Sequence, residues 1–152
     1  MIVLQRTDYS HIDFRQLVVE LDEELRERYP SEQLAHAVLN TMPANSCVIV
    51  AYEDSACTGC GCFRHTEEPG TVEVKRMFVR KMFRGRGISR MICGGIEEWA
   101  KELGVERMIL ETGIKQPEAI RLYESIGFIR IANYGEYLNN DNSVCMEKIL
   151  CE

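Results

Sequence analysis

The sequence predicts a mixed α/β chain built on one sheet. Three observations carry that expectation. β-rich runs follow one another between Cys47 and Val79, parted only by turn-forming residues. Stretches with apolar residues at helical spacing lie on either side of that block. A strand, a short helix and two more strands then close the chain, an order that suits helices packed on a sheet. The 152 residues can bury a sizeable core and fit one domain, residues 1–152, with no linker, internal repeat or low-complexity segment.

Ile2 to Leu4 opens as a strand. From His11 to Pro30, Phe14, Leu17, Val18, Leu21 and Leu25 recur at helical spacing, with Asp22, Glu23, Glu24, Arg26, Glu27 and Arg28 on other faces. Pro30 stops this helix. Ser31 caps a second, short one through Leu34, Val38 and Leu39, which Pro43 ends. Cys47 to Tyr52 reads as a strand and Glu53 to Ser55 as a turn. Ala56 to His65 is a strand with glycines inside it, and Thr66 to Gly70 is a further turn. Val72 to Val79 completes a meander.

The central helix runs from about Gly87 to Leu103. Ile88, Met91, Ile92, Ile96, Trp99, Ala100 and Leu103 form its stripe, and Gly104 suits its stop. Gly94 and Gly95 each cost this helix about 1 kcal/mol relative to alanine, which predicts close packing there. Arg107 to Thr112 is a buried-type strand. Pro117 opens a helix with Ala119, Ile120, Tyr123 and Ile126 on one face, and Gly127 ends it. Phe128 to Ala132 is a strand. Asn133 to Asn142 is a polar loop with room for a short strand around Tyr137, and Ser143 to Ile149 is the last strand.

With 45% hydrophobic and 28% charged residues the composition is that of a soluble globular protein. A net charge of -6 argues against general nucleic-acid binding, which needs a broad basic surface. No apolar run approaches the roughly 20 residues of a membrane span. The N-terminus lacks the apolar run of a signal peptide. Seven cysteines, an odd count without a secretion signal, point to reduced thiols in a cytoplasm. Cys57, Cys60 and Cys62 do not make a metal site. Strand alternation puts Cys60 and Cys62 on one face and Cys57 with His65 on the other, and zinc normally takes four ligands.

Against this acidic background, Val72 to Trp99 stands out. No acidic side chain falls between Glu73 and Glu97, while Lys75, Arg76, Arg80, Lys81, Arg84, Arg86 and Arg90 do. The stretch passes from strand through a basic loop with Gly85 and Gly87 into the central helix. Backbone N–H groups and the helix dipole make such a helix start an anion site, and a phosphate is the expected ligand. The third glycine of a dinucleotide-binding fingerprint is replaced by Arg90, and the Gly-Lys-Ser/Thr of a triphosphate loop is absent.

Arg84-Gly85-Arg86-Gly87-Ile88-Ser89 resembles the Gln/Arg-x-x-Gly-x-Gly/Ala signature of the GNAT N-acetyltransferase superfamily, with Ser89 in place of the usual small Gly or Ala. A second stretch, Leu110 to Phe128, looks like that family's C-terminal signature, matching at Ala119, Tyr123, Gly127 and Phe128, with Gln116 where Asn is frequent. The resemblance covers roughly Cys47 to Phe128. It implies a GNAT fold, a single mixed, mostly antiparallel splayed sheet flanked by helices. It further implies acetyl-coenzyme A as cosubstrate and no metal.

By the same resemblance, the amides of Arg84, Gly85, Arg86, Gly87, Ile88 and Ser89 hold the pyrophosphate. Gln116 reaches the pantetheine or a neighbouring phosphate. The backbone of Met77, Phe78 and Val79 pairs with the pantetheine arm. Tyr123 is the general acid toward the departing thiolate. Glu73, on a strand face with Lys75 and Met77, stands where some relatives carry a general base.

The expected reaction is direct acetyl transfer to a primary amine of a small molecule or of a protein or peptide, with backbone N–H groups polarising the carbonyl. None of the seven cysteines needs a nucleophile's role. The alternative is a catalytically silent coenzyme A-binding regulatory module. Asp22, Glu23, Glu24, Glu27 and Glu32 form a candidate acidic lip for a cationic amine, and Tyr29 to Leu34 a candidate acceptor-contacting stretch. Homodimers are common in the family. The acceptor itself is not given by the sequence.

Overall fold

A computed structural model describes residues 1–28 and 46–150. The expected second helix and the stretch from Tyr29 to Leu34 lie outside the described residues. In chain order the strands are β1 (Ile2–Thr7), β2 (Cys47–Glu53), β3 (Ala56–His65), β4 (Thr71–Val79), β5 (Arg107–Gly113), β6 (Ile129–Ile131) and β7 (Ser143–Ile149). The helices are α1 (Ile12–Arg28), α2 (Ile88–Glu102) and α3 (Pro117–Ser125). Around Tyr137 the chain forms a 3-10 turn, Gly135–Tyr137, rather than a short strand. Among the described residues, no helix is long and apolar enough to cross a membrane.

The seven strands form one sheet in the order β1-β2-β3-β4-β5-β7-β6. Only β4 and β5 run parallel. On one face α1 packs Phe14, Leu17, Val18 and Leu21 against Val48, Val50, Cys60, Cys62 and Phe78. On the other, α2 and α3 pack Ile88, Ile92, Ile96, Ile120 and Tyr123 against Ile49, Phe63, Val72, Val74, Leu110 and Met146. Of the two central-helix glycines, Gly95 answers to close packing. A Cβ there meets Leu4 Cδ1 at 2.9 Å and Ile49 Cδ1 at 3.0 Å. Gly94 has nothing within 4 Å, so packing does not account for it.

The feature that positions the site is a fork in this sheet. β4 pairs with β5 only from Thr71–Arg107 to Val74–Leu110. Beyond that, β4 stays with β3 as far as Val79, and β5 stays with β7 as far as Gly113. A bulge sits just past the last β4–β5 pair. Lys75 pairs with Cys62 and Phe78 with Cys60, so Arg76 and Met77 together oppose Gly61. Arg76 takes the left-handed conformation (φ 60°), uncommon for a residue with a Cβ.

The cysteines contribute to this bulge. Cys60 and Cys62 each donate a thiol hydrogen bond, at 3.3 Å, to the carbonyls of Arg76 and Lys75. Burial pushes the Cys62 thiol up to about 12, so it stays protonated and able to donate. The bulge also shifts the alternation of β4. Glu73 and Lys75 share the α1 face as expected, but Met77 crosses to the core beneath α2. A second register shift, between Ala51 and Tyr52, brings Cys57 onto the α1-side cluster with Cys60 and Cys62, instead of opposite them.

Candidate active site

Where β4 and β5 part, a cleft of about 320 Å³ opens. One wall is the end of β4, with Met77, Phe78 and Val79. The far wall is Gln116 and the inner face of α3, with Ala119, Leu122 and Tyr123. The loop Arg84, Gly85, Gly87 and the first residues of α2, Ile88, Ser89 and Arg90, close one end.

That end is built for an anion. Gly85 (φ 82°) and Gly87 (φ 78°) are both left-handed, and an added Cβ meets nothing within 4 Å at either. Gly87 is the N-cap of α2. It supplies no side-chain cap, and no acid stands in the first turn. The orphan N–H groups of a 15-residue helix therefore face the cleft without a carboxylate to satisfy them. Arg84 reaches the same end. Its Nε–H donates to the Val79 carbonyl at 2.7 Å and its Nη2 to Glu24 at 2.8 Å.

Glu24 belongs to a wider pattern. Glu20 pairs with Arg80 at 2.8 Å, and Asp22 with the nearly buried Arg76 at 2.6 Å. Three carboxylates of α1 thus neutralise three cations of the basic run. Asp22 and Glu24, expected on an acidic lip for an amine, are committed to arginines.

Tyr123, on the far wall of the cleft, is 6% exposed, with its ring edge-to-face on Phe128 at 5.6 Å. Burial drives its phenol well above the ordinary tyrosine range, with the charges of Cys93 and Glu111 adding to the push. The hydroxyl is therefore held protonated, the state a proton donor needs.

The sequence profile of the Acetyltransferase (GNAT) family matches residues 12–128. The chain belongs to the GNAT acetyltransferase family. It is 37% identical over 136 residues to the IAA acetyltransferase of Azospirillum brasilense, a match spanning 89% of each chain. A Klebsiella pneumoniae protein assigned to the acyl-CoA N-acyltransferases superposes with a TM-score of 0.83 at 26% identity, over 99% of this chain and 98% of that one. The PaiA N-acetyltransferase of Thermoplasma acidophilum, solved in complex with coenzyme A, shares the fold at a TM-score of 0.69 and 15% identity, over 98% of this chain and 99% of that one.

Of the residues singled out in this acetyltransferase, Met77, Phe78, Val79, Arg84, Gly85, Gly87, Ile88, Ser89, Gln116 and Tyr123 meet in the one cleft. Arg86 does not line it. Its guanidinium pairs with Glu53 at 2.6 Å and lies over the Phe83 ring. Glu73 stands on the other side of the fork, facing a second cavity of about 670 Å³ with Arg64, Ile109, Tyr134 and Tyr137. It is 4% exposed. Arg64 donates to its Oε1 at 2.9 Å, Lys75 lies 3.9 Å from the same oxygen, and the Tyr134 hydroxyl donates to Oε2 at 2.8 Å.

Sequence reasoning missed Arg90, Phe83 and Glu118, which also line the cleft. Arg90 carried a signal, since it is the last cation of the basic run and falls in the first turn of α2. Phe83 and Glu118 carried none.

Proposed function

We propose that this protein transfers an acetyl group from acetyl-coenzyme A directly to a primary amine of a small molecule or of a protein or peptide. The observation that carries the reading is the convergence of an uncapped, glycine-rich helix start and a buried tyrosine in one cleft at the sheet fork. The cleft fits the cosubstrate on its own chemistry. Gly85 and Gly87 hold left-handed turns in open space, the N–H groups of Ile88 to Arg90 and the Arg84 guanidinium offer donors to a diphosphate, and among the described residues no strand pairs with the β5-facing edge of β4 beyond Val74. The bound thioester supplies an activated acyl group.

The chain does the rest. Gln116 and the end of β4 orient the pantetheine arm, so that the thioester rests at the fork. Backbone N–H groups there polarise its carbonyl, and Tyr123 protonates the departing sulfur. Two routes to a covalent acyl-enzyme are disfavoured by burial. Cys60 and Cys62 donate into the β4 bulge, and Cys93 is pushed up to about 12. The six described cysteines are free thiols, which suits work in a reducing cytoplasm.

The test is acetyl-coenzyme A turnover, followed by thiol release, over a panel of amino acids, small amines, polyamines, aminoglycosides and peptides. Transfer to one class with ternary-complex kinetics is expected. Tight coenzyme A binding with no transfer to any amine, or ping-pong kinetics, overturns the reading.

A further inference from the structure

Cys60-Gly61-Cys62, excluded above as a metal site, lies directly opposite the β4 bulge, and each of its three residues meets that bulge. Cys62 pairs with Lys75 and Cys60 with Phe78, which leaves Gly61 facing Arg76 and Met77 together. The two cysteines belong to the α1 face, 0% and 1% exposed, in one cluster with Phe14, Leu17 and Val18. Gly61 serves the other face. A Cβ there would run into Met77 and meet Ile92 Cγ2 at 2.9 Å and Ile96 Cδ1 at 3.0 Å.

A regular strand turns successive carbonyls to opposite neighbours. Here two in a row turn the same way. The Lys75 carbonyl accepts from the Cys62 thiol and the Arg76 carbonyl from the Cys60 thiol, each at 3.3 Å. Both therefore look to β3. The left-handed turn at Arg76 (φ 60°) permits the repeat. A planar trans peptide points its N–H opposite to its C=O. The N–H groups of Arg76 and Met77 are thus turned together away from β3. On that side β5 has already parted from β4, after the Val74–Leu110 pair, and Met77 lines the cleft with Tyr123. Two successive N–H groups aimed one way make a site for an oxygen that gains negative charge.

We propose that Cys60 and Cys62 are positioning residues for acetyl transfer: their thiols hold two successive carbonyls of β4 against β3, and so keep the N–H groups of Arg76 and Met77 aimed at the thioester oxygen. This rests on the acetyl-transfer reading. Without the thiols each carbonyl has to find another direction, and the open side is the fork. A carbonyl oxygen directed there would repel the charge that builds in the transition state.

A thiol suits this place. It is a weak donor on an apolar body, so it packs in the α1 core, where a group with more hydrogen-bonding capacity would need further partners. Burial pushes both thiols up and keeps them protonated. A thiolate would have no proton to donate and would repel the carbonyl it holds.

The test reads the thioester carbonyl directly. Acetyl-coenzyme A, isotope-labelled at that carbonyl, is bound to the whole protein without an acceptor, and its stretching band is measured by infrared difference spectroscopy. Bound to wild type, the band should lie below that of the free thioester, because two N–H groups draw charge onto the oxygen. Cys60→Ala and Cys62→Ala, made singly, should each return it part-way to the free value. Their kcat should fall about tenfold or more, while acetyl-coenzyme A affinity changes less than about threefold. Cys60→Ser and Cys62→Ser restore a donor and should recover both band and kcat. Packing alone would leave serine no better than alanine, since both remove the sulfur. Should an alanine variant fail to fold, the valine variant at that position, which keeps the volume and lacks the donor, is read in its place. An unshifted wild-type band overturns the proposal. So does a donor-less variant with the band and kcat of wild type, or a serine variant no better than alanine. A band that shifts with the cysteines, in a protein that acetylates no amine, overturns the acetyl-transfer reading and not the thiol clamp.

Discussion

Tyr123→Phe isolates one oxygen atom. The ring stays, and with it the edge-to-face contact to Phe128 at 5.6 Å and the packing of α3 on the sheet. Among the described residues the hydroxyl forms no hydrogen bond, so its loss strands no partner. A hydrogen bond lost from a fold costs about 1 kcal/mol, and here none is lost. The variant should melt within about 2–4 °C of wild type, the shift that 1 kcal/mol gives in a chain of this size. Turnover should respond on another scale. Loss of a general acid costs about 10²- to 10⁴-fold in kcat, or about 2.7–5.5 kcal/mol at 1.36 kcal/mol per decade. Acetyl-coenzyme A affinity, measured by calorimetry, should change less than threefold or so, because the change leaves the glycine loop and the α2 start untouched. Burial also holds the phenol above its ordinary range, so wild-type kcat should not decline on the alkaline side below a pH of about 10. An unchanged kcat in the variant refutes the assignment. So does a loss of affinity as large as the loss of rate, which would make Tyr123 a wall of the cleft and nothing more.

Three further perturbations test the structure around that cleft. Gly87→Ala forces a left-handed residue with a Cβ, a cost of about 1 kcal/mol that shows as a melt lowered by a few degrees. Acetyl-coenzyme A affinity should fall about tenfold or more, and an unchanged affinity would place the phosphates elsewhere. Glu24→Gln releases Arg84 from a partly exposed ion pair worth about 0.2–1 kcal/mol. Coenzyme A should then bind a few-fold tighter at low salt, with the gain fading as salt rises; weaker binding would mean that Glu24 aims the arginine rather than competing for it. Asp22→Ala leaves Arg76 charged and nearly buried, with its Nη2 already lacking a partner among the described residues. Breaking such a pair costs about 3–5 kcal/mol, and thermal denaturation should drop by about 10 °C. A shift of a degree or two would mean that water reaches Arg76.

Much of the fold was legible because its signals are local. Apolar spacing in α1 and α2, Pro117 at the start of α3 and the turns at Glu53 to Ser55 and Thr66 to Gly70 act within a few residues. The glycine loop was legible for the same reason. Left-handed turns at Gly85 and Gly87 and an uncapped helix start are properties of six consecutive residues. The partners of the basic run were not. Arg76, Arg80 and Arg84 find Asp22, Glu20 and Glu24 across 54 to 60 residues of chain, and no periodicity encodes which carboxylate meets which arginine. The outward turn of Arg86 onto Glu53 is likewise a long-range choice.

The fork shows why the side of the sheet that carries Glu73 was the harder half to read. Just past the last β4–β5 pair stands Arg76, in a conformation that favours glycine or asparagine and gives no compositional warning when an arginine adopts it. That residue is held in place by three things: Asp22 on its guanidinium, the Cys60 thiol on its carbonyl, and Gly61 opposite, where a Cβ would run into Met77 and meet Ile92 at 2.9 Å. A strand read by strict alternation therefore carries Glu73, Lys75 and Met77 on one face, whereas the bulge sends Met77 to the other. One signal of the fork was present nonetheless. In Arg107 to Thr112, Glu111 is the one acid, directly after the apolar run Met108 to Leu110. A carboxyl in the interior of a sheet needs either a cation or an opening beside it. At Glu111 the sheet provides the opening, since β4 has already turned away.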